Sequence, residues 1–384
     1  FDPVSLGGYA LAYQAVFLVG IAPAYLLLAP AEIAVIAHPV ERRLDYLPRA
    51  LARAAPIALV AALASTLWSL LAPAELPGET TRALVVTAAI AAFFSPLQDH
   101  VRQMLHAGGM SWRATIVSLV QLGIVAAAVG AMSRWELPPA WIPFGSLGLA
   151  NLVSATIGVA MSRGGRLAPD PARLRLADLL DSGRWIFGGA ILGPAAGFVV
   201  AALVVALADA AALGYAEGAR VVAQPVWVLA VGLESVLGPR LMAAARERRP
   251  SSARAISHQF VALAVLAGAI CVTAVGGPWP WNPMRWLLPT AYTVAGLTLA
   301  MLTAQTALAV LFPYRSELLG AGREAALTKV EVGASGARVA IALTAGLTGA
   351  YAIPIGLLAQ AGIRGTAFYA LRRRLYATPG SEGA

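Results

Sequence analysis

Residues 185–207 read WIFGGAILGPAAGFVVAALVVAL, a run with no charged side chain. A helix of about 20 apolar residues crosses a hydrocarbon core roughly 30 Å thick, so this stretch is long enough to span a bilayer. Working outward from it, comparable runs recur on both sides. They lie near 8–28, 50–72, 82–98, 114–132 and 140–161 before it, and 213–237, 258–276, 286–312, 327–346 and 350–371 after it. With 185–207 included, that makes eleven predicted spans. Pro23, Pro194, Pro225, Pro289 and Pro354 sit inside them, which membrane helices tolerate where neighbouring groups satisfy the freed backbone. Composition agrees: 59% of the 384 residues are hydrophobic and only 12% charged, with a mean hydropathy of +0.73. Soluble domains carry about 25% charged residues, so a chain this poor in charge could not cover its own surface in water. The expectation is an all-α polytopic membrane protein.

The formal net charge of +9 would suggest a nucleic-acid partner in a soluble protein. Here the basic residues sit in short connections between spans, and on alternate sides they are very unequal. One side holds Arg42, Arg43, Arg49, Arg53, Arg102 and Arg113, then Arg163, Arg166, Arg173, Arg175 and Arg184. It continues with Arg240, Arg246, Arg248, Arg249 and Arg254, then Arg315, Arg323, Lys329 and Arg372 to Arg374. The other side holds only Arg82, Arg134 and Arg285. The positive-inside rule makes the arginine-rich side cytoplasmic. The C-terminus is then inside and Phe1 outside, with no nucleic acid called for. Phe1-Asp2-Pro3-Val4-Ser5-Leu6-Gly7-Gly8 has neither the basic n-region nor the cleavage motif of a signal peptide. An outside start without a signal sequence predicts one further helix ahead of Phe1, giving twelve spans.

The longest inside connection follows the fifth span. There Leu174, Leu176, Leu179 and Leu180 alternate with Arg173, Arg175, Asp178 and Asp181, the pattern of an amphipathic helix lying on the cytoplasmic surface. The predicted organisation is an N-terminal transmembrane bundle over 1–161 lacking its first helix, and a cytoplasmic amphipathic linker over 162–184. A C-terminal bundle over 185–371 and a cytoplasmic tail over 372–384 complete it. Paired bundles around a central cavity are a common transporter plan.

Several chemistries find no support. Cys271 is a single cysteine in an apolar run, and His38, His100, His106 and His258 are scattered over different segments without metal-ligand spacing. No Gly-rich loop ends in a Lys, so nucleotide hydrolysis is not expected. Ala107-Gly108-Gly109-Met110 reads as a turn. No catalytic constellation, metal or cofactor is predicted, and the reading is of a transporter, not an enzyme.

One segment resembles a known family. Ala208-Asp209-Ala210-Ala211-Ala212-Leu213-Gly214-Tyr215-Ala216-Glu217-Gly218-Ala219-Arg220, continuing through Gln224-Pro225 to Gly238-Pro239-Arg240, resembles the start of the C-terminal half in certain flippases. These are the polysaccharide and lipid-linked oligosaccharide flippases of the multidrug/oligosaccharidyl-lipid/polysaccharide (MOP) superfamily. Ser5-Leu6-Gly7-Gly8-Tyr9-Ala10-Leu11-Ala12 is similar, more loosely, to the family's segment between its first and second helices. Phe198-Val199-Val200-Ala201-Ala202 is wholly apolar where such flippases often carry a charge. The resemblance implies alternating access in the bacterial inner membrane by a monomer, with an oligosaccharide on a polyprenyl pyrophosphate as cargo. Glycan-assembly proteins are implied as possible partners besides the bilayer itself. Two rivals stay open: a drug antiporter of the same superfamily, and a membrane polysaccharide polymerase or ligase. The rival enzymes usually work through a large outside loop, and every outside connection here is short.

Charged residues inside spans are the candidates for function, because a charge at mid-bilayer costs at least ~2.5–3.5 kcal/mol and normally faces protein, water or substrate. Arg220, Arg338 and Arg364 fall inside predicted spans, with Glu217, Glu234 and Glu331, and Glu32 lies near the cytoplasmic end of the first. Glu217 and Arg220 share a helical face at i,i+3, either as an internal ion pair or as part of a cavity. Arg338 has no carboxylate at helical spacing; Glu331 is two turns back. Arg364 is close enough to the span end to snorkel into headgroups. Arginine's planar fork suits a pyrophosphate, so Arg220, Arg338 and Arg364 are the predicted substrate-binding residues. Glu217, Glu331, Gln224 and Glu32 are the predicted coupling or cavity groups. Gln14, Gln121, Asn151, Gln305 and Gln360 could meet sugar hydroxyls or simply join helices by hydrogen bonds.

Overall fold

The structure is a computed structural model that describes residues 2–36, 38–71, 78–162, 175–277, 279–282, 284 and 289–377. Among the described residues the chain is all-helical and contains no strand. The first nine helices are α1 (Pro3–Val35), α2 (Val40–Leu67), α3 (Gly78–Ala107), α4 (Ser111–Arg134), α5 (Pro139–Ser162), α6 (Leu176–Leu207), α7 (Ala210–Arg246), α8 (Pro250–Gly276) and α9 (Leu297–Gly320). They are followed by α10 (Glu324–Ala342) and α11 (Ala345–Tyr376). Ten of the eleven are long and apolar enough to cross a membrane. The exception, α10, is 19 residues long but carries Glu324, Lys329, Glu331 and Arg338. The chain is a multi-pass membrane protein. Large apolar side chains turned outward, such as Leu119 and Leu122 at 61% and 65% exposure, meet acyl chains in that setting.

Helices overrun the ends expected from hydropathy. α1 continues past 28 to Val35, α3 past 98 to Ala107, and α9 past 312 to Gly320. Hydropathy drops at the first charged residues, whereas backbone hydrogen bonding continues wherever those residues find partners. Of the linker expected over 162–184, residues 163–174 lie outside the described residues, as do Arg285, residues 286–288 and residues 378–384 of the tail. From Leu176 the chain is already in α6. The glycine pair after α3 does form a turn. Gly109 sits at φ +72°, and Met110 N–H donates to the Leu105 carbonyl at 2.8 Å, the arrangement that closes a helix over its last carbonyls.

Two helices contain π-helical turns, Ala24–Leu28 in α1 and Leu84–Ala88 in α3. Pro23 precedes the first, and its missing N–H frees a carbonyl from the α ladder. At the second, the Thr87 hydroxyl donates to the Ala83 carbonyl at 2.6 Å, supplying that carbonyl with an alternative donor.

The chain separates into two compact units. One runs from Leu11 to Pro194; the other combines the first ten residues with the chain from Ala195 onward. The first unit has a core of Leu27, Leu28, Val35, Leu47, Met104 and Leu105. Leu179 joins it from the start of α6, where Gly183 lies so close to α1 that a Cβ would overlap the Leu26 carbonyl. In the second unit α7 packs against α8 and α9, and α11 against α9 and α10. The opening turns of α1 cross the start of α7 at two glycines. A Cβ at Gly7 would overlap the Ala210 carbonyl, and one at Gly214 the Pro3 carbonyl. Without lipid-phase hydrophobic drive, such small-residue crossings let membrane helices gain dispersion contact through their backbones.

Candidate functional site

In the C-terminal unit five charged residues from three helices come together. α7 is fixed at its start by Asp209, whose carboxylate accepts from the Ala212 N–H at 2.6 Å, a side-chain N-cap. About two turns on, Glu217 Oε2 and Arg220 Nε pair at 2.5 Å with the glutamate side chain only 9% exposed. Between α10 and α11, Arg364 directs both Nε and a terminal nitrogen at Glu331 Oε2, at 3.2 and 2.5 Å. Arg338 stands on α10, packed on Gly356 of α11; a Cβ there would press on Arg338 Cγ at 3.2 Å. Arg364, Glu217 and Arg220 are within its electrostatic reach. Its Nε is buried without a hydrogen-bond partner among the described residues, and no described carboxylate forms an ion pair with it.

Three arginines face two glutamates, so the cluster carries one positive charge in excess, located on Arg338. The i,i+3 pairing of Glu217 and Arg220 is the one expected from the sequence. Arg364, one of the three predicted substrate-binding residues, is turned onto Glu331 and not toward headgroups, with 19% of its side chain exposed. Gln224 lies half-buried one turn beyond Arg220. Glu234 accepts from the Ser316 hydroxyl at 3.1 Å and lies 3.6 Å from Arg315, which ties α7 to α9. Sequence reasoning missed Glu317, fully buried, which accepts from Arg372 Nε at 3.1 Å and from the Tyr376 hydroxyl at 2.5 Å.

The N-terminal unit has a polar centre of its own. A cavity of about 350 Å³ is walled by Tyr13, Phe17 and Tyr25 of α1, Asp99 of α3 and Phe144 of α5, among others. A ladder of amides runs along it: Gln98 donates to Gln121 at 3.3 Å, Gln121 to Asn151 at 2.6 Å, and Asn151 to Ser95 at 2.7 Å. Each rung joins two helices, as the interhelical reading of Gln121 and Asn151 expects. Asp99 pairs with Arg102 at 2.9 Å. Behind the cavity, Glu32 of α1 lies 2.7 Å from His100 Nδ1 of α3. His100 was not among the sequence candidates; its signal is a histidine beside an aspartate where a span was expected to have ended.

No protein-family model matches the chain, and no curated protein matches it by sequence. Solved structures do match by shape. A MOP superfamily transporter from Pyrococcus furiosus, whose binding pocket is described as having reverse polarity, superimposes with a TM-score of 0.67 at 15% identity, covering 98% of this chain and 94% of that one. A multidrug resistance MATE family transporter of the MOP superfamily in its outward-facing conformation gives 0.65 at 14% identity, over 98% and 97%. An inward-facing conformation of a transporter so described gives 0.59 at 16%, over 98% and 96%. The chain therefore has the fold of the MATE transporters of the MOP superfamily.

Proposed function

We propose that this chain is an alternating-access transporter whose cargo is a polyprenyl-pyrophosphate-linked oligosaccharide, flipped across the bacterial inner membrane with the C-terminus cytoplasmic. The observation that carries the reading is Arg338: a cation on α10 whose Nε is buried, with no carboxylate ion-pair partner among the described residues, flanked by two completed ion pairs. Buried charges are kept where they are paired or used, and an arginine of this kind invites an anion that arrives and leaves. A pyrophosphate supplies it, with Arg220 as the second cation and Glu217 and Glu331 setting how far the cluster stays positive. Gln224 and the amides offer hydrogen bonds to sugar hydroxyls, while the prenyl tail remains in lipid. The driving force is an ion gradient or removal of the product outside.

A second reading has its own support. The N-terminal cavity combines aromatic faces with the Asp99 carboxylate, a chemistry suited to a cationic, apolar drug, and multidrug transporters share this fold. Complementation separates the two. In a host lacking its own polysaccharide flippase but making the matching glycan, the full-length protein restores surface polysaccharide, and Arg338→Ala abolishes the rescue while remaining inserted. Rescue undiminished by Arg338→Ala would overturn the anion-site assignment. No rescue by a well-inserted protein, together with drug resistance that depends on Asp99, would move the function to drug export.

A further inference from the structure

His100 is a fully buried imidazole within a membrane-spanning helix. Its Nδ1 meets Glu32 at 2.7 Å, while its Nε2 has no hydrogen-bond partner among the described residues. The large majority of buried side-chain polar atoms have a hydrogen-bond partner, so a histidine that leaves a buried nitrogen without one calls for an explanation. This one exposes 1% of its area and leaves a nitrogen bare. The same two helices bring a third ionisable group alongside. Asp99 precedes His100, lies within electrostatic reach of Glu32, and opens onto the cavity. A metal is a poor explanation, because no group of three or more potential ligands occurs among the described residues and structural metal sites need four.

We propose that His100 and Glu32 form a proton-binding site of the N-terminal unit, with Asp99 as the group through which the proton exchanges with the cavity. In the unloaded state Nδ1–H donates to the Glu32 carboxylate and Nε2 carries a lone pair. Loading forms one N–H bond at Nε2 as an O–H bond of protonated Asp99, itself loaded by hydronium in the cavity, breaks and leaves the carboxylate, and the imidazolium charge is balanced by Glu32 without disturbing the Nδ1 contact. Release breaks that bond and returns the proton to Asp99 or to water in the cavity. Both states therefore keep α1 and α3 joined, and the site can fill and empty without local unfolding.

Other charged groups on the surrounding elements are few. α2 brings Arg53, whose terminal nitrogen is buried and unpartnered among the described residues. α3 itself brings Asp99 and Arg102, paired with one another. The first turns of α2 bring Arg43, held by the His38 and Ala107 carbonyls at 2.9 Å each, together with Glu41, Arg42, Asp45 and Arg49. α4 brings Arg113, bound to the Met161 carbonyl, α5 offers the neutral Asn151, and the start of α6 brings Asp178, Asp181 and Arg184. Glu32 is the carboxylate in contact with the ring, so it decides whether the ring can carry charge.

The inference rests on the transporter reading for its purpose but not on the nature of the cargo, and its test needs no substrate. The full-length protein, purified in detergent with 15N-labelled histidine, is followed by NMR from pH 5 to 9, and the signal missing from His100→Gln identifies the ring. In the wild type Nε2 passes between bare and protonated, and the difference titration against His100→Gln amounts to about one proton. In Glu32→Gln an uncompensated charge would have to be buried, and Nε2 stays bare throughout. In Asp99→Asn the proton still binds and is released more slowly after a pH jump. A ring whose protonation never changes in the wild type, or a Glu32→Gln protein that titrates like the wild type, overturns the proposal. Should Glu32→Gln fail to fold, the wild-type titration decides alone. Failed polysaccharide rescue with a normal titration would sink the flippase reading and leave this one standing.

Discussion

Charges buried for structure and charges buried for use should respond oppositely to removal, and the C-terminal cluster contains both kinds on adjacent helices. Glu331 and Arg364 are 13% and 19% exposed and pair at 2.5 Å. Removing one partner of such a pair leaves a stranded charge, at a cost of about 3–5 kcal/mol. Glu331→Gln is therefore expected to lose that much. Arg338 has no carboxylate ion-pair partner to strand among the described residues, so Arg338→Met removes a charge whose burial itself costs up to ~2.5–3.5 kcal/mol. Its stability should stay level or rise by as much as that. The two variants thus separate by at least about 3 kcal/mol and at most about 8.5 kcal/mol. Equilibrium unfolding in mixed micelles, followed by circular dichroism, measures both on one scale. Substrate transport should be lost in Arg338→Met despite its stability, the usual sign of a residue retained for function at the expense of stability. An Arg338→Met protein as destabilised as Glu331→Gln would refute the reasoning, because Arg338 would then be a structural cation.

The helix crossing at Gly7 and Gly214 offers a second test. Gly7→Val or Gly214→Val forces backbone apart and should cost ~1–3 kcal/mol or more, whereas Gly123→Ala, with nothing within 4 Å of its new Cβ, should be neutral or gain up to about 1 kcal/mol; both are read by the same unfolding assay. Replacing Asn151 with Leu removes two rungs of the amide ladder at once. Interhelical hydrogen bonds in membranes average about 0.6 kcal/mol with a maximum near 1.7, so a loss of roughly 1–3 kcal/mol is expected. Ser95→Ala, which removes one rung, should lose less. For Glu217 and Arg220, single neutralisations should each cost more than the double Glu217→Gln/Arg220→Gln, and a double-mutant cycle with no coupling would show that the 2.5 Å contact contributes nothing net.

The spans were legible because one physical signal, uninterrupted apolarity over a bilayer's thickness, acts locally. Their ends were not. Asp99, His100 and Arg102 lower hydropathy enough to close a span at 98, yet Glu32, 68 positions away, gives His100 a partner and the helix continues to Ala107. The same limit governs the site. Glu217 and Arg220 are three positions apart on one helix, so their pairing follows from helical geometry alone. Arg364 and Glu331 are 33 positions apart on different helices, and a sequence gives no reason to prefer that partner over solvent or headgroups. Glu317 lay hidden for the same reason: its partners Arg372 and Tyr376 are 55 and 59 positions on. Arg338 stands out in both views, since the lack of a carboxylate at helical spacing is matched by the lack of an ion-pair partner among the described residues.

The π-helical turns at Ala24–Leu28 and Leu84–Ala88 bear on how these helices can change length. A π-turn takes up one extra residue within an otherwise α-helical path, so α1 and α3 each hold a position at which a single-residue deletion could be absorbed by reverting to plain α-helix. Glu32 lies beyond the first such position, and Ser95, Asp99 and His100 beyond the second. Losing one residue in either turn would keep the helix and both its end contacts plausible. A deletion elsewhere in α1 or α3, where there is no extra residue to give up, would instead rotate every later side chain on one side of the Glu32–His100 contact by about 100°, one residue's turn of an α-helix. The two turns are therefore the positions at which chain length and the phase of the polar residues beyond them are uncoupled.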